Sequence, residues 1–368
     1  MTVDSMTASP RQGTDCVQLL TPEGERVRPP GYENVEFSAD ELRNFYRDFV
    51  LIRRIDTEAT ALQRQGELGI WASLLGQEAA QVGSARALRP DDYVFPTYRE
   101  HGAAWCRGID PIRLLGLYRG VDHGDWDPAE YNFGLYTIVI GAQCLHAAGY
   151  AMGMMRDGAD GAVLAYFGDG ASAQGDVNES FIWAGVFNAP VVFFCQNNQW
   201  AISVPLQRQT RTPLYKRAEG FGFPGIQVDG NDVLAVHEVT KRALQNAREG
   251  NGPALIEAVT YRMGAHTTND DPTRYRIAGE VEEWRLKDPI ERVRVYLARN
   301  GLVDQAFFDS IEEEANDLAA TLRKQCLALP DPDPMRVFSE VYAESSPLLD
   351  EEREQFARYL ASFEGGAQ

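Results

Sequence analysis

In the stretch AYFGDGASAQGD an acid stands between two glycines, Gly168-Asp169-Gly170, directly behind a run of apolar residues. After twenty-six intervening residues come Asn197-Asn198, behind another such run. A carboxylate from Asp169, an amide oxygen from Asn198 and a nearby backbone carbonyl would form an all-oxygen half-shell suited to Mg²⁺, with positions left for water and substrate phosphates. Gly168 and Gly170 leave the backbone bare, so a phosphate could approach it closely. Taken singly, each element is a weak signal, and Gly-Asp-Gly alone reads more readily as a turn. Placed together, each behind a strand-like run, they form a candidate site.

The two residues meet only if their strands are neighbours. GAVLAYF (161–167) and APVVFFC (189–195) are too short and too uniformly apolar for exposed helices, and both suit strands covered on both faces. Between them, Val177, Phe181 and Ala184 or Gly185 recur at helical spacing. PALIEAVTYR (253–262) makes a third strand after the helical DVLAVHEVTKRALQNAREG. This rhythm implies right-handed crossovers and an α/β fold, a parallel sheet flanked by helices, whose ligands collect beyond the carboxyl ends of the strands. Upstream, FSADELRNFYRDFVLIRRIDTEATALQRQG opens with a Ser38–Glu41 capping box, carries Leu42, Phe45, Phe49 and Ile52 on one face, and stops at Gly66. Residues 1–36, with CVQLL as their one apolar island, read as an extended arm, and a packed core is expected to begin after it. Residues 37–300 form the α/β domain and 301–368 a helical, acidic region with a helix at DEEREQFARYLASF.

Composition excludes several partners. The 35 Lys and Arg against 54 Asp and Glu give a formal charge of −19, which repels nucleic acid and anionic membranes. Any anionic ligand must therefore be held by a local cluster of Arg, His, backbone donors or a metal. The cysteines, Cys16, Cys106, Cys144, Cys195 and Cys326, are odd in number and lack CxxC spacing, so neither a disulfide framework nor a zinc site is expected. The first residues show no basic, apolar export pattern, and no run approaches the ~20 apolar residues of a membrane span. A soluble protein of the reducing cytoplasm is expected.

In chain order, FPTYREHG, TIVIGAQ, GDGASAQGD, QNNQWAISVP, IQVDGNDVLAV and TYRMGAHTTNDDPTRYR lie within the stretch of about 38–300. This series resembles the alpha subunit of the thiamine-diphosphate-dependent decarboxylating component of 2-oxo acid dehydrogenase complexes. The resemblance implies a thiamine-diphosphate-binding fold, with Asp169 and Asn198 as magnesium ligands through their side chains and Trp200 through its carbonyl. It places Tyr98 and Arg99 on the cofactor diphosphate, Gly168 and Gly170 against it, and Ile140 by the aminopyrimidine. Gln196 stands where branched-chain relatives carry an Arg that reaches the diphosphate, so its contact would be neutral and weaker. His266 would lie beside the phosphates and the reaction centre, to donate to phosphate or move a proton. His101, His123, His146 and His237 match no functional position and are read as structural. Thr267 stands where mitochondrial relatives carry a regulatory phosphoserine, but Ala265 and Thr267 both depart from that pattern and no such regulation is expected.

The implied reaction is decarboxylation of a 2-oxo acid and transfer of the acyl group to a lipoyl arm. It requires a glutamate against the pyrimidine ring, and the chain offers no match for one. The resemblance therefore implies an alpha2beta2 heterotetramer whose beta subunit supplies that glutamate, docked on a lipoyl-bearing acyltransferase core. A catalytically idle magnesium- and phosphate-binding scaffold is the alternative. A self-contained transketolase-like enzyme needs about twice this length, and no GxGxxG opens a nicotinamide-binding unit. QNNQWAISVP and GAQ look like pyruvate enzymes, while VDGNDV and VTYRMGAHTTNDD lean toward branched-chain ones. Leu68, Ile70 and Trp71 are candidates for the substrate pocket, with core packing as their other use.

Overall fold

The computed structural model of the protein describes residues 16–122, 124–339 and 341–364. Five parallel strands form the main sheet: β1 (Tyr93–Phe95), β2 (Val163–Gly168), β3 (Val191–Asn197), β6 (Gly225–Asp229) and β7 (Ala254–Val259), in the order β1-β2-β3-β7-β6. A short antiparallel hairpin, β4 (Trp200–Ala201) with β5 (Val204–Pro205), follows β3 directly. The expected α/β architecture is thus present, and β2 and β3 pair along their whole length, from Val163 opposite Val191 to Gly168 opposite Gln196.

Both central strands are buried, save for the half-buried Gly168 that ends β2, because their alternating side chains supply two cores. Leu164, Tyr166, Val192 and Phe194 face one side, where they pack with helices Ala39–Arg64, Glu78–Arg86 and Val233–Arg248. Val163, Ala165, Phe167, Val191, Phe193 and Cys195 face the other, against Ala142–Asp157 and Gly175–Phe187. Each large apolar side chain so buried contributes about 1.5–3 kcal/mol relative to exposure. The sheet is therefore a stiff platform for whatever projects from its carboxyl edge.

The long N-terminal helix spans Ala39–Arg64, and its capping box forms: Glu41 N–H donates to Ser38 Oγ (3.2 Å) and Ser38 N–H to Glu41 Oε2 (2.8 Å). Near the C-terminus the expected helix covers Pro347–Glu364, and a further helix, Gln305–Ala328, is tied to the N-terminal one by the Arg323–Glu58 pair at 2.6 Å.

One expectation is corrected. The core does not begin after residue 36, because Leu19 and Leu20 are completely buried in it. Asp232 Oδ2 accepts both of their backbone N–H groups at 2.6 and 2.7 Å, and Val17 bridges to Val228 on the open side of edge strand β6. An apolar island too short to read as an element is drawn in because it covers an otherwise unpaired strand edge.

Candidate active site

The ends of β2, β3 and β7 converge on one cavity of about 590 Å³. Its lining includes all ten residues singled out from sequence: Tyr98, Arg99, Ile140, Gly168, Asp169, Gly170, Gln196, Asn198, Trp200 and His266. Thr267 and Ile70 also line it. Leu68 and Trp71 do not; both are buried in a side cluster, where the Trp71 indole donates to Asp56 (2.8 Å) and stacks on His101.

Asp169 opens a short 3-10 turn as β2 ends, and only 1% of it is exposed. Gln209 Nε2 donates to its Oδ2 at 2.7 Å. Burial nonetheless pushes its carboxyl up to about 6, against the lowering effect of that bond. A cation would relieve this cost. Across the strand gap, Asn198 Oδ1 accepts Trp200 N–H (3.2 Å) and its Nδ2 donates to Gln77 Oε1 (2.7 Å). The Trp200 carbonyl accepts from Arg262 at 3.1 Å, which leaves a lone pair. Gly170 packs so tightly on the hairpin that an added Cβ would lie 2.7 Å from Ala201 Cβ. That glycine is required by the protein's own packing as well as by any ligand.

On the far wall stand cationic groups with little anionic company. Arg99, 5% exposed, donates to the Ser73 and His266 carbonyls at 2.5 and 2.7 Å. Arg262, 1% exposed, donates to the Trp200 and Ile202 carbonyls. Among the described residues neither guanidinium forms an ion pair with a carboxylate, unlike Arg248 with Asp92 or Arg292 with Asp229 elsewhere in the core. Burial, and then the neighbouring Arg99, draw Arg262 down to about 10. In a chain of charge −19, two buried unpaired guanidiniums opposite a buried carboxylate suit an anion carried by a metal ion. The donor set is all oxygen on one side and all N–H on the other, so a magnesium diphosphate fits these residues.

Residues 46–327 match the profile of the family described as dehydrogenase E1 component. The chain belongs to that family. Members depend on thiamine diphosphate, and the binding geometry above lies within the matched span. The E1 chain is 46% identical over 346 residues to the 3-methyl-2-oxobutanoate dehydrogenase subunit alpha of Mycobacterium tuberculosis, covering 94% of each chain. It is 38% identical to the pyruvate dehydrogenase E1 component subunit alpha of Bacillus cereus, over 89% of this chain and 87% of the relative. With the corresponding subunit of Acholeplasma laidlawii the identity is 39%, over 87% and 93%.

Two cavity residues of this E1 chain escaped the sequence reading of individual roles. Arg262 lies three residues past β7; an arginine so close behind a wholly buried, mostly apolar strand was the available signal. Gln77 had no such signal. It is delivered by Gly76, whose φ of +95° and 2.3 Å from a would-be Cβ to the Tyr261 carbonyl admit no side chain. Gln196, expected to reach a diphosphate weakly, already uses its amide within the protein: Nε2 donates to Glu100 (2.5 Å) and Oε1 accepts from Gln81 (3.1 Å). Of the histidines read as structural, His101 is buried and holds the Ala72 carbonyl (2.9 Å), His237 is buried, His146 is exposed, and His123 lies outside the described residues.

His266 Nδ1 faces Arg99 at 3.3 Å and Arg262 at 3.4 Å. Guanidiniums only donate, so Nδ1 is the acceptor and the neutral ring carries its proton on Nε2. Burial, then Arg99 and Arg262, depress the imidazole to about 4. The folded chain therefore refuses a proton that the unfolded chain accepts, and this group's contribution to stability falls as pH drops from about 6.5 towards 4. In an NMR titration the His266 signal, assigned by its loss in His266→Asn, should move with a midpoint near 4. Inorganic pyrophosphate with Mg²⁺ should raise that midpoint by neutralising the arginines. A midpoint near the ordinary value in the ligand-free chain would remove the cationic wall from the argument.

Proposed function

We propose that this E1 chain is the alpha subunit of a dehydrogenase for branched-chain 2-oxo acids such as 3-methyl-2-oxobutanoate, and that it grips thiamine diphosphate through Mg²⁺. The observation that carries this reading is the meeting of Asp169, Asn198 and the Trp200 carbonyl opposite Arg99, Arg262 and His266 in one cavity. Asp169 and Asn198 hold the ion by their side chains, and Trp200 by its backbone oxygen. Arg99, with Tyr98 beside it and Gly168 and Gly170 below, takes the diphosphate. Ile140 bears on the rest of the cofactor. When bound, the cofactor supplies the electron sink for loss of carbon dioxide from the 2-oxo acid. As a neutral imidazole, His266 presents its Nε2–H as a hydrogen-bond donor to phosphate or to the oxygen of the reacting substrate.

The site is half built from this chain. Asp169 and Glu100 are the carboxylates among the cavity's lining residues, and Glu100 is engaged by Thr97 N–H (2.6 Å), Thr97 Oγ1 (2.6 Å) and Gln196. Neither is available to face a pyrimidine. Around the mouth, Ile138, Val139 and Ile202 are 67%, 71% and 56% exposed, an aliphatic rim suited to burial by another subunit. This supports a beta subunit that contributes the glutamate, in an alpha2beta2 heterotetramer served by a lipoyl-bearing acyltransferase core. Five free cysteines are in keeping with a cytoplasmic setting. Among the described residues no helix is long and apolar enough to cross a membrane.

The branched-chain preference rests on the higher identity to the 3-methyl-2-oxobutanoate relative and on the aliphatic lining, Ile70, Ala72 and Ile138 among it. Co-expression with the beta subunit tests it. The pair should turn over 3-methyl-2-oxobutanoate with kcat/KM above that for pyruvate by roughly 10–200-fold, the range for added methylenes in an apolar pocket. The chain alone should turn over neither. Cofactor binding without turnover by the pair would instead make the chain an idle scaffold, and a preference for pyruvate would reassign the substrate.

A further inference from the structure

Gln77 is completely buried, lines the cavity, and has no partner for its Nε2. A buried amide donor without an acceptor costs stability, so its retention at a ligand site points to an acceptor the ligand brings. The orientation of that amide follows from a chain of donors that begins in the backbone. Trp200 N–H can only donate, so the Asn198 atom 3.2 Å away is Oδ1. Asn198 Nδ2 is then the atom turned to Gln77, at 2.7 Å, and Gln77 must answer with Oε1. Its Nε2 is left with its protons unused. Turning either amide over would set two donors against each other.

We propose that Gln77 is a positioning and ligand-contacting residue: its Oε1 locks the Asn198 amide so that Oδ1 serves the metal ion, and its Nε2 donates to a phosphate oxygen of the ligand that ion carries. The inference rests on the reading of this cavity as a metal–diphosphate site. Gln77 sits at the start of helix Glu78–Arg86, 121 residues before Asn198 in sequence, so it ties the helix layer to the tip of β3. The helix start is held in turn by Glu78, whose carboxylate accepts Gly76 N–H at 2.9 Å and pairs with Arg53 at 2.8 Å. Gln77 therefore reaches the ion's ligand from a rigid element.

Two substitutions separate the two roles. Gln77→Met removes both amide atoms; Gln77→Glu keeps an acceptor for Asn198 but replaces the donor with an oxygen that repels phosphate. Binding of Mn²⁺ to the full chain is read by electron paramagnetic resonance, without and with inorganic pyrophosphate. Wild type should hold Mn²⁺ more tightly when pyrophosphate is present. In Gln77→Met both the binding of Mn²⁺ alone and the gain from pyrophosphate should fall, the latter by about tenfold or more, as for loss of a hydrogen bond to a charged group. Gln77→Glu should restore the binding of Mn²⁺ alone and not the gain. An undiminished pyrophosphate gain in both variants would overturn the ligand contact, and Mn²⁺ binding by Gln77→Glu as weak as by Gln77→Met would overturn the amide lock. Failure of the wild type itself to bind Mn²⁺ with pyrophosphate would instead sink the underlying reading of the cavity.

Discussion

Asp169→Asn should abolish magnesium-dependent binding of thiamine diphosphate while making the ligand-free protein no less stable. The carboxylate is the one ionised oxygen in the proposed donor set, and it is almost wholly out of water. Removing one partner of a buried charge pair costs about 3–5 kcal/mol, which is on the order of a hundredfold to several thousandfold in affinity. Without the ion, however, that same charge is a burden, as its upward shift indicates. Asparagine relieves the burden and fits locally, since Gln209 Oε1 has no partner and can turn to accept the new amide. Thermal unfolding with and without Mg²⁺ and cofactor reads both effects. Wild type should gain stability on addition and the variant should not. An equal ligand-induced rise in Tm for the two proteins would place the ion elsewhere.

The second large effect is expected at Arg99. A charge-assisted bond from its guanidinium to phosphate contributes about 1.5–3 kcal/mol, so Arg99→Ala should weaken cofactor binding by roughly ten- to a hundredfold. The same side chain also bridges the Ser73 and His266 carbonyls, so its loss loosens the loop that carries His266. Lysine should recover little, because one ammonium cannot reach both carbonyls and a phosphate in the planar fork that arginine provides. Isothermal titration with thiamine diphosphate and Mg²⁺ measures the loss, and a dissociation constant within threefold of wild type would show that Arg99 braces the wall without touching the anion. Because Arg99 is among the causes that depress His266, its removal should also let the imidazole titrate at higher pH.

The residues of the proposed ion site were legible because their signals are local. A run such as AVLAYF followed at once by Gly-Asp-Gly announces a buried strand and its exit turn, and VVFFCQNN does the same. The observed strands start and end within two residues of these runs. Edge strands were harder to see. β1 has three residues, and β6 reads GIQVD, with Gln227 and Asp229 buried against Glu257 and Arg292. A buried polar strand looks like a surface loop until its partners are known. Leu19 and Leu20 misled for a related reason: two leucines in a polar segment gain their burial from Asp232, more than two hundred residues away.

By itself the sequence determined the three central strands, the capped start of the long N-terminal helix, and which polar side chains leave the sheet at its carboxyl edge, since all of these depend on patterns within a dozen residues. Tertiary structure alone decided that β2 lies directly beside β3, that Arg99, Arg262 and His266 crowd the opposite wall with neither guanidinium paired to a carboxylate, and that Gln77 lines the cavity with a donor left unused. Charge and hydrogen bonding act through a few ångströms of space, and residues 77, 99, 198 and 266 come within that range only when the chain has packed.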